Sequence, residues 1–176
     1  MGTEADLSFP IGRFEPPTAA TPDMRTEAID AIAALPRHMR AAVEGLSDAQ
    51  LDSPYRPGGW TVRQLVHHVA DSHMNAYLRL KLALTEENPT IKPYDQDRSA
   101  TLADSRLPVD ASLALLDGLH RRWAELWRSL PPDQFSRTFY HPEIGPVVLE
   151  THLQMYAWHS RHHVAHITAM RLRQRI

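Results

Sequence analysis

The sequence predicts an all-α protein built as a four-helix bundle. Four long segments carry apolar residues at intervals of three and four, the spacing of an amphipathic helix. Prolines and capping patterns mark where most of these segments begin or end. The composition, 43% hydrophobic and 23% charged over 176 residues, is typical of one soluble domain with a substantial core. We therefore treat residues 1–176 as a single helical domain.

The first helix is predicted to follow an extended arm. Residues 1–20 are proline-rich and carry no helical periodicity. Thr21 followed by Pro22 is typical of an N-cap and a first helical turn, so we expect a helix from Pro22 to about Gly45. Pro36 lies inside this segment and is predicted to kink or divide it.

The second helix has the clearest start signal. Ser47 and Gln50 form a capping-box pattern that predicts a short turn of helix. Thr61 and Gln64 repeat the pattern, and the apolar residues that follow recur with helical spacing through about Glu87. A long helix is therefore expected over residues 62–87.

The second half of the chain holds a long loop and two more helices. Asn88–Leu107 contains two prolines and several Asp and Ser residues, so we predict an irregular loop. Pro108 opens the third helix, which ends at Pro131. Residues 139–148 could hold a short hairpin, and the last helix begins near Leu149.

Charge and composition exclude several classes of partner. The net charge of −2 gives no electrostatic reason to expect nucleic acid or an anionic membrane. The chain has no cysteine, so it has no disulfide, thiolate metal site or catalytic cysteine of its own. No apolar run reaches the ~18 residues of a membrane span, and the N-terminus does not resemble a signal peptide. A cytoplasmic location is expected.

The most informative feature is the placement of eleven histidines. On the last helix, one edge of the apolar face carries His152, His159, His163 and His166. His162 points nearly opposite and is predicted to be solvent-exposed. His159 and His163 are spaced i, i+4, so both rings can reach one metal ion from consecutive turns. The spacing matches the H-E-x-x-H helix, but its glutamate is missing, which excludes a zincin-type protease.

A third ligand must come from another helix. The second helix offers His67, His68 and His73, and periodicity leaves the choice among them open. His73 lies within the apolar face, His67 lies away from it, and His68 lies on a polar stripe. Three other histidines are interpreted as non-functional: His38 and His120 as surface residues, and His141 as part of a turn. If the site needs a general base, the candidates are Asp71, Glu143 and Glu150.

The chain resembles the DinB-like family and, within it, the YfiT-like metal-dependent hydrolases of bacteria. The resemblance covers nearly the whole chain. The blocks that carry it are SFPIGRFEPP, LDSPYRPGGWTVRQLVHHVADSHMNAYLRLKLALTEENPTIKPYD, LALLDGLHRRW, FYHPE and YAWHSRHHVAHIT. The second and last of these blocks are the most specific.

The resemblance implies a fold, a metal site and an assembly. The fold that it implies is a four-helix bundle in which the helices run in up-down-down-up order. The family's ligand positions correspond to His68, eight residues after Trp60, and to His159 and His163 in the final H-x-x-x-H. It further implies a homodimer with one divalent ion per chain, zinc first and nickel as the alternative. His152 and His166 are left as either orienting groups or core residues.

Three functions follow as alternatives. Three imidazoles with open positions are typical of a catalytic metal, so the first is hydrolysis of a small molecule by activated water. The second is implied by the resemblance: relatives in the wider family are similar to transferases that use a low-molecular-weight thiol such as bacillithiol, and a metal deprotonates a bound thiol without a separate base. The third is a non-enzymatic metal-binding stress-response module, which a fourth ligand from His152 or His166 would favour. The loop, with Tyr94, Asp95 and Arg98, is either a wall of the substrate pocket or a plain crossover.

Overall fold

The computed structural model describes residues 7–176 and is mostly helical. Its four long helices and two short ones are α1 Pro22–Val43, α2 Asp48–Leu51, α3 Val62–Thr85, α4 Gln96–Ser99, α5 Asp110–Arg128 and α6 Leu149–Gln174. Two 3₁₀ turns cover Ala103–Arg106 and Pro132–Ser136. The long helices form the predicted four-helix bundle, and over residues 7–176 no helix has the length and apolarity needed to cross a bilayer.

Side-chain caps start α1 and α3 where the sequence predicts them, whereas α5 and α6 begin without one. The Thr21 side chain accepts from the Met24 amide at the start of α1. Thr61 and Gln64 form a complete capping box at the start of α3. α5 begins two residues after the predicted Pro108, and α6 begins at Leu149 as expected.

Of the kink or division predicted at Pro36, the division does not occur. The helix continues through it to Val43. A proline lacks the N–H that would bond the carbonyl four residues earlier, here that of Ile32. That carbonyl instead accepts from Nδ1 of His120 at 2.6 Å. A side chain of α5 thus satisfies the group that Pro36 leaves without a helical partner.

Cross-helix contacts establish the order of α1 and its neighbours. Arg25 near the start of α1 pairs with Glu150 at the start of α6, and Arg171 near the end of α6 donates to Ala42 O at the end of α1. These two helices therefore run parallel. Two further ion pairs, Arg128 with Asp30 and Arg40 with Asp117, make α5 antiparallel to α1.

α3 completes the up-down-down-up order. His67 of α3 contacts Ser112 of α5, and His73, further along α3, contacts His120, further along α5. α3 and α5 therefore run parallel. Against α6 the direction reverses, since α3 runs from His68, beside His159, towards Ala76, beside His152. α3 and α5 thus point down while α1 and α6 point up.

The segments between the helices are more ordered than the sequence predicts. The loop after α3 contains α4 and the first 3₁₀ turn. The predicted hairpin forms from β1 Thr138–His141 and β2 Gly145–Val148, paired antiparallel. Its Tyr140 donates to Pro89 O and accepts from Ile91 N, which fixes the beginning of the loop.

The apolar core consists of two clusters, one towards each end of the bundle. Trp123, Trp127 and Leu153 belong to the first, and Leu65, Leu116 and Ile167 to the second. Along three of the four helices the change from one cluster to the other occurs at histidines: His73 in α3, His120 in α5, and His159 and His163 in α6. A histidine layer therefore crosses the middle of the bundle.

Candidate metal centre

Three histidines from two helices converge at one point. The ligand atoms of His68, His159 and His163 all lie within 4.8 Å of one another. His68 comes from α3, and the other two come from consecutive turns of α6. The Nε2 atoms of His159 and His163 are 3.1 Å apart, so two ring nitrogens already face the same point. This group could hold one divalent metal ion.

Burial keeps these rings neutral. His68 is 6% exposed and His163 7% exposed, while His159 is partly open to the adjoining cavity. Burial lowers the pKa of His68 to about 4 and lowers the pKa of His159 and of His163 well below 6.5. A neutral imidazole is the form that ligates a metal, so at neutral pH all three carry a free lone pair.

Each of the three rings has different surroundings. Nδ1 of His68 lies 3.3 Å from the Tyr94 hydroxyl, and the Trp60 ring packs 4.7 Å away. Nδ1 of His159 is 2.9 Å from Nε2 of His73. Nδ1 of His163 is buried and has no partner among the described residues. Nδ1 thus has a hydroxyl as its partner in His68, another histidine in His159, and no partner among the described residues in His163.

His162 is buried, which contradicts the predicted solvent exposure. It is 7% exposed, because the N-terminal arm covers the face of α6 that helical geometry alone assigns to solvent. Trp158 stacks on it with centroids 4.3 Å apart, and Phe9 of the arm lies at 5.9 Å. Trp158 in turn donates to Gly12 O. Periodicity within one helix could not show this cover.

His162 also belongs to a second histidine group, with His163 and His166. The Nε2 atoms of His162 and His166 are 3.0 Å apart, and the Tyr55 ring packs on His166 at 4.4 Å. Neither His166 nor His152 belongs to the His68 group. His152 donates from Nε2 to Ala76 O instead and is a core residue.

The predicted position of His120 is also corrected. It was expected at the surface, but it is fully buried between α1 and α5. Its contact with His73 connects it to the histidine layer. His67 is buried and bonds Ser112 and Leu107 O, away from the site. His38 is exposed as expected, and His141 accepts from the Glu143 amide in its turn.

A cavity of about 370 Å³ opens onto the histidines. Its wall combines the arm (Ser8, Phe9), the turn before α3 (Arg56, Trp60) and α4, with all three ligand candidates. The volume lies within the range of small-molecule sites. The sequence left two roles open for the loop after α3, a wall of the pocket or a plain crossover. α4 belongs to this loop, and its residues Gln96 and Asp97 line the cavity.

The predicted general bases lie outside the lining of this cavity, as far as residues 7–176 describe it. Glu150 pairs with Arg25, more than two helical turns before His159. Glu143 is in the hairpin turn. Asp71 accepts from the Ser99 hydroxyl at 3.3 Å, and burial raises its pKa. The carboxylate in the cavity wall is Asp97, which the sequence did not single out because only the short helix α4 brings it there.

Relatives of known name match almost the entire chain. A protein of Bacillus cereus strain B4264 named "Putative metal-dependent hydrolase" is 54% identical over 168 residues, which cover 96% of this chain and 97% of that protein. One of the same descriptive name from Bacillus mycoides strain KBAB4 is 53% identical with the same coverage.

Solved structures match the fold. YfiT from Bacillus subtilis, described as "a probable metal-dependent hydrolase with an unusual four-helix bundle topology", is 49% identical and has a TM-score of 0.93, covering 96% of this chain and 97% of that one. TT2238, described as a four-helix bundle protein, is 24% identical with a TM-score of 0.57 over 82% of this chain and 98% of that one, a likeness of fold alone. Residues 31–167 match the family model that is described as the DinB superfamily. The chain therefore belongs to the DinB superfamily.

Proposed function

We propose that the protein is a metal-dependent hydrolase in which His68, His159 and His163 hold one divalent ion. The observation that carries the proposal is the convergence of three neutral imidazoles within 4.8 Å at the wall of an open cavity. The names of the relatives support the same activity. Zinc suits a three-imidazole set, and nickel is the alternative.

The donor set fits a catalytic ion better than a closed structural one. Structural zinc sites are usually closed by four protein ligands, whereas three leave a position open. Bound there, a divalent ion supplies Lewis acidity that lowers the pKa of water towards ~7 and makes hydroxide available near neutral pH. The three rings give it no negative charge, so its electrophilic character is retained.

Asp97 is the candidate general base. It lines the same cavity as His68 and His163, and its exposed position keeps a carboxylate in contact with water. A carboxylate there can accept the proton that an attacking water loses. Gln96, its neighbour in the wall, can donate a hydrogen bond to a substrate oxygen. The substrate is a small molecule that fits the cavity.

Thiol transfer is the second candidate. It is favoured by the position of Asp71, Glu143 and Glu150 outside the cavity lining, since a metal-bound thiol needs no base. The two candidates therefore differ in their need for Asp97.

The test compares two reactions in three proteins. Metal-loaded wild type, His163→Ala and Asp97→Asn are assayed for hydrolysis of 4-nitrophenyl acetate and for conjugation of bacillithiol to 1-chloro-2,4-dinitrobenzene. We expect metal-dependent hydrolysis that His163→Ala abolishes and Asp97→Asn lowers ~100-fold, the low end of what a general base contributes. Metal-dependent conjugation that Asp97→Asn leaves unchanged selects the transferase. If neither reaction depends on the metal, the proposed enzyme is wrong.

A further inference from the structure

Three histidines, of which His73 and His120 are fully buried, form a continuous chain of hydrogen bonds from the backbone of α1 to the candidate metal centre. Nδ1 of His120 lies 2.6 Å from Ile32 O. Nε2 of His120 lies 2.9 Å from Nδ1 of His73. Nε2 of His73 lies 2.9 Å from Nδ1 of His159. Each ring uses both of its nitrogens, and the chain ends at a candidate ligand.

The first bond sets the direction of the other two. A backbone carbonyl can only accept, so Nδ1 of His120 carries the proton. A neutral imidazole has one N–H, which leaves Nε2 of His120 as an acceptor for His73 Nδ1–H. By the same step, Nε2 of His73 accepts from His159 Nδ1–H. The lone pair of His159 is therefore on Nε2, the atom that faces Nε2 of His163 at 3.1 Å.

The chain depends on neutral rings, and the fold keeps them neutral. His73 and His120 are both 0% exposed and lie between the two apolar clusters. Charging a ring there would remove a cation from water without an ion-pair partner. Burial lowers the pKa of His120, which anchors the chain, to about 4.

Pro36 provides the anchor at the far end. In an uninterrupted helix the Ile32 carbonyl would accept from the amide of residue 36, but a proline has no N–H. The carbonyl is therefore free to accept from His120, and the buried ring has a partner that cannot reverse its role.

We propose that His73 and His120 are positioning residues that hold His159 in its Nδ1–H tautomer, with Nε2 directed at the metal site. The proposal rests on the metal site proposed above. His163 differs, because its Nδ1 has no partner among the described residues. His159 is thus a ligand preset by the fold, and His163 is not. Such outer partners of a metal-bound histidine typically change metal affinity by ~10-fold to 100-fold.

The direct test reads tautomers in the metal-free, full-length protein. Long-range ¹H–¹⁵N spectra of protein labelled at histidine distinguish Nδ1–H from Nε2–H. We expect His120, His73 and His159 all to be Nδ1–H, although free histidine in water favours Nε2–H. A dominant Nε2–H form of His159 or His73 in the wild type overturns the proposal without requiring any variant.

Variants test whether the chain causes the tautomer. In His120→Leu the anchor is lost, so we expect His73 and His159 to become mixtures of the two tautomers. His152→Leu is the matched control: it removes another fully buried histidine that donates to a backbone carbonyl, but outside this chain. We expect the His159 tautomer to be unchanged in it. Equal effects of the two variants would reduce the role of His120 to packing.

Metal affinity gives the second readout. With zinc in competition with a chelator, His73→Leu should weaken binding ~10-fold to 100-fold. His73→Gln should recover most of this loss, because its amide oxygen can accept from His159 Nδ1–H near the position of Nε2. His152→Leu should stay within about twofold of wild type. An affinity unchanged in His73→Leu contradicts the positioning role.

The two proposals can fail separately. If wild type has the three Nδ1–H tautomers but binds no zinc, the metal site is wrong and the hydrogen-bond chain stands. If zinc binds through His159 while its metal-free tautomer is Nε2–H, the metal site stands and the positioning role is wrong.

Discussion

The candidate ligand His68 is held at its second ring nitrogen by Tyr94, a residue of the loop after α3. The hydroxyl lies 3.3 Å from Nδ1, at the long end of hydrogen-bond distances. Burial raises the Tyr94 pKa, so the phenol is neutral and can accept from Nδ1–H. The loop thereby contributes to the orientation of a candidate ligand, in addition to the two residues of α4 that line the cavity.

Removing this hydroxyl tests the contact. We expect Tyr94→Phe to weaken zinc binding up to ~10-fold, the low end for such partners because the bond is long. Chelator competition measures the affinity. Tyr140→Phe, which removes an exposed hydroxyl from β1, is the control and should bind like wild type. Equal affinities in the two variants would assign Tyr94 to packing alone.

Buried histidines also make stability depend on pH. His120 and His152 each have a pKa lowered by burial to about 4, against ~6.5 in an unfolded chain. Between these values the unfolded chain binds more protons, so the free energy of unfolding falls as pH drops. The loss begins below the unfolded pKa and is complete only below the folded one.

Thermal unfolding of the metal-free protein from pH 7.5 to 4 measures this dependence. We expect Tm to fall steadily below pH 6.5, with an uptake of more than one proton per chain on unfolding. His38→Gln, at an exposed position, should give the same profile. A Tm that stays flat from pH 7 to 4.5 would show that the folded protein binds these protons as readily as the unfolded chain, so that burial does not lower the pKa of these rings.

At the residue scale the sequence indicated which histidines could meet, but not what surrounds each one. The i, i+4 spacing of His159 and His163 brings their rings together, as predicted. His68 could be chosen over His73 only through the family resemblance, since helical periodicity does not say which partner helix a residue faces. His120 and His162 were misplaced because their burial depends on α1 and on the arm, which lie far away in sequence.

At the scale of elements, capping positions α3 and with it His68. The Thr61 hydroxyl accepts from the backbone N–H of Gln64, and the Gln64 side-chain oxygen accepts from the backbone N–H of Thr61. Gln64 also donates to Ala100 O, which joins this cap to the end of α4. One capping box thus connects the helix of a candidate ligand to the loop that lines the cavity.

Loss of this cap should destabilise the protein modestly. We expect Thr61→Val, which keeps the shape but removes the hydroxyl, to lower the free energy of unfolding by ~1 kcal/mol. Thr61→Ser restores the acceptor and should be close to wild type. Urea denaturation of the metal-free proteins measures the difference. Equal stability of the two variants would mean that the cap contributes little.

Local signals predicted the element boundaries well, and tertiary contacts account for the differences. The caps at Thr21, Ser47 and Thr61 are all present. The division predicted at Pro36 does not occur, because a histidine from α5 replaces the missing helical donor. The short helix α4 was not predicted, since a four-residue element has too little periodicity to detect.

At the scale of the molecule, the bundle order explains how α3 and α6 share a site. α6 lies antiparallel to α3 and parallel to α1, so the middle of α6 faces the middle of α3 across the histidine layer. The bundle class could be predicted from four amphipathic segments. The up-down-down-up order could not, because periodicity carries no information about which helices are neighbours. The homodimer expected from the resemblance stays a prediction.

Metal binding should stabilise the whole fold, because the candidate ligands come from two helices that separate on unfolding. At free zinc 1,000-fold above its dissociation constant, linkage gives about 4 kcal/mol, or ~8–16 °C in Tm for a chain of this size. Differential scanning calorimetry with zinc and with EDTA measures the shift. We expect EDTA to abolish it in wild type and zinc to cause none in His163→Ala. A comparable zinc shift in that variant would place the ion elsewhere.

Metal content, determined by plasma mass spectrometry on untagged protein, tests the central claim most directly. The comparison includes wild type, the variants His68→Ala, His159→Ala and His163→Ala, and the controls His38→Ala and His152→Ala. We predict about one divalent ion per chain in wild type and in both controls, and its loss in each of the three ligand variants. A wild-type chain without metal, or metal that survives these three substitutions, would contradict the account.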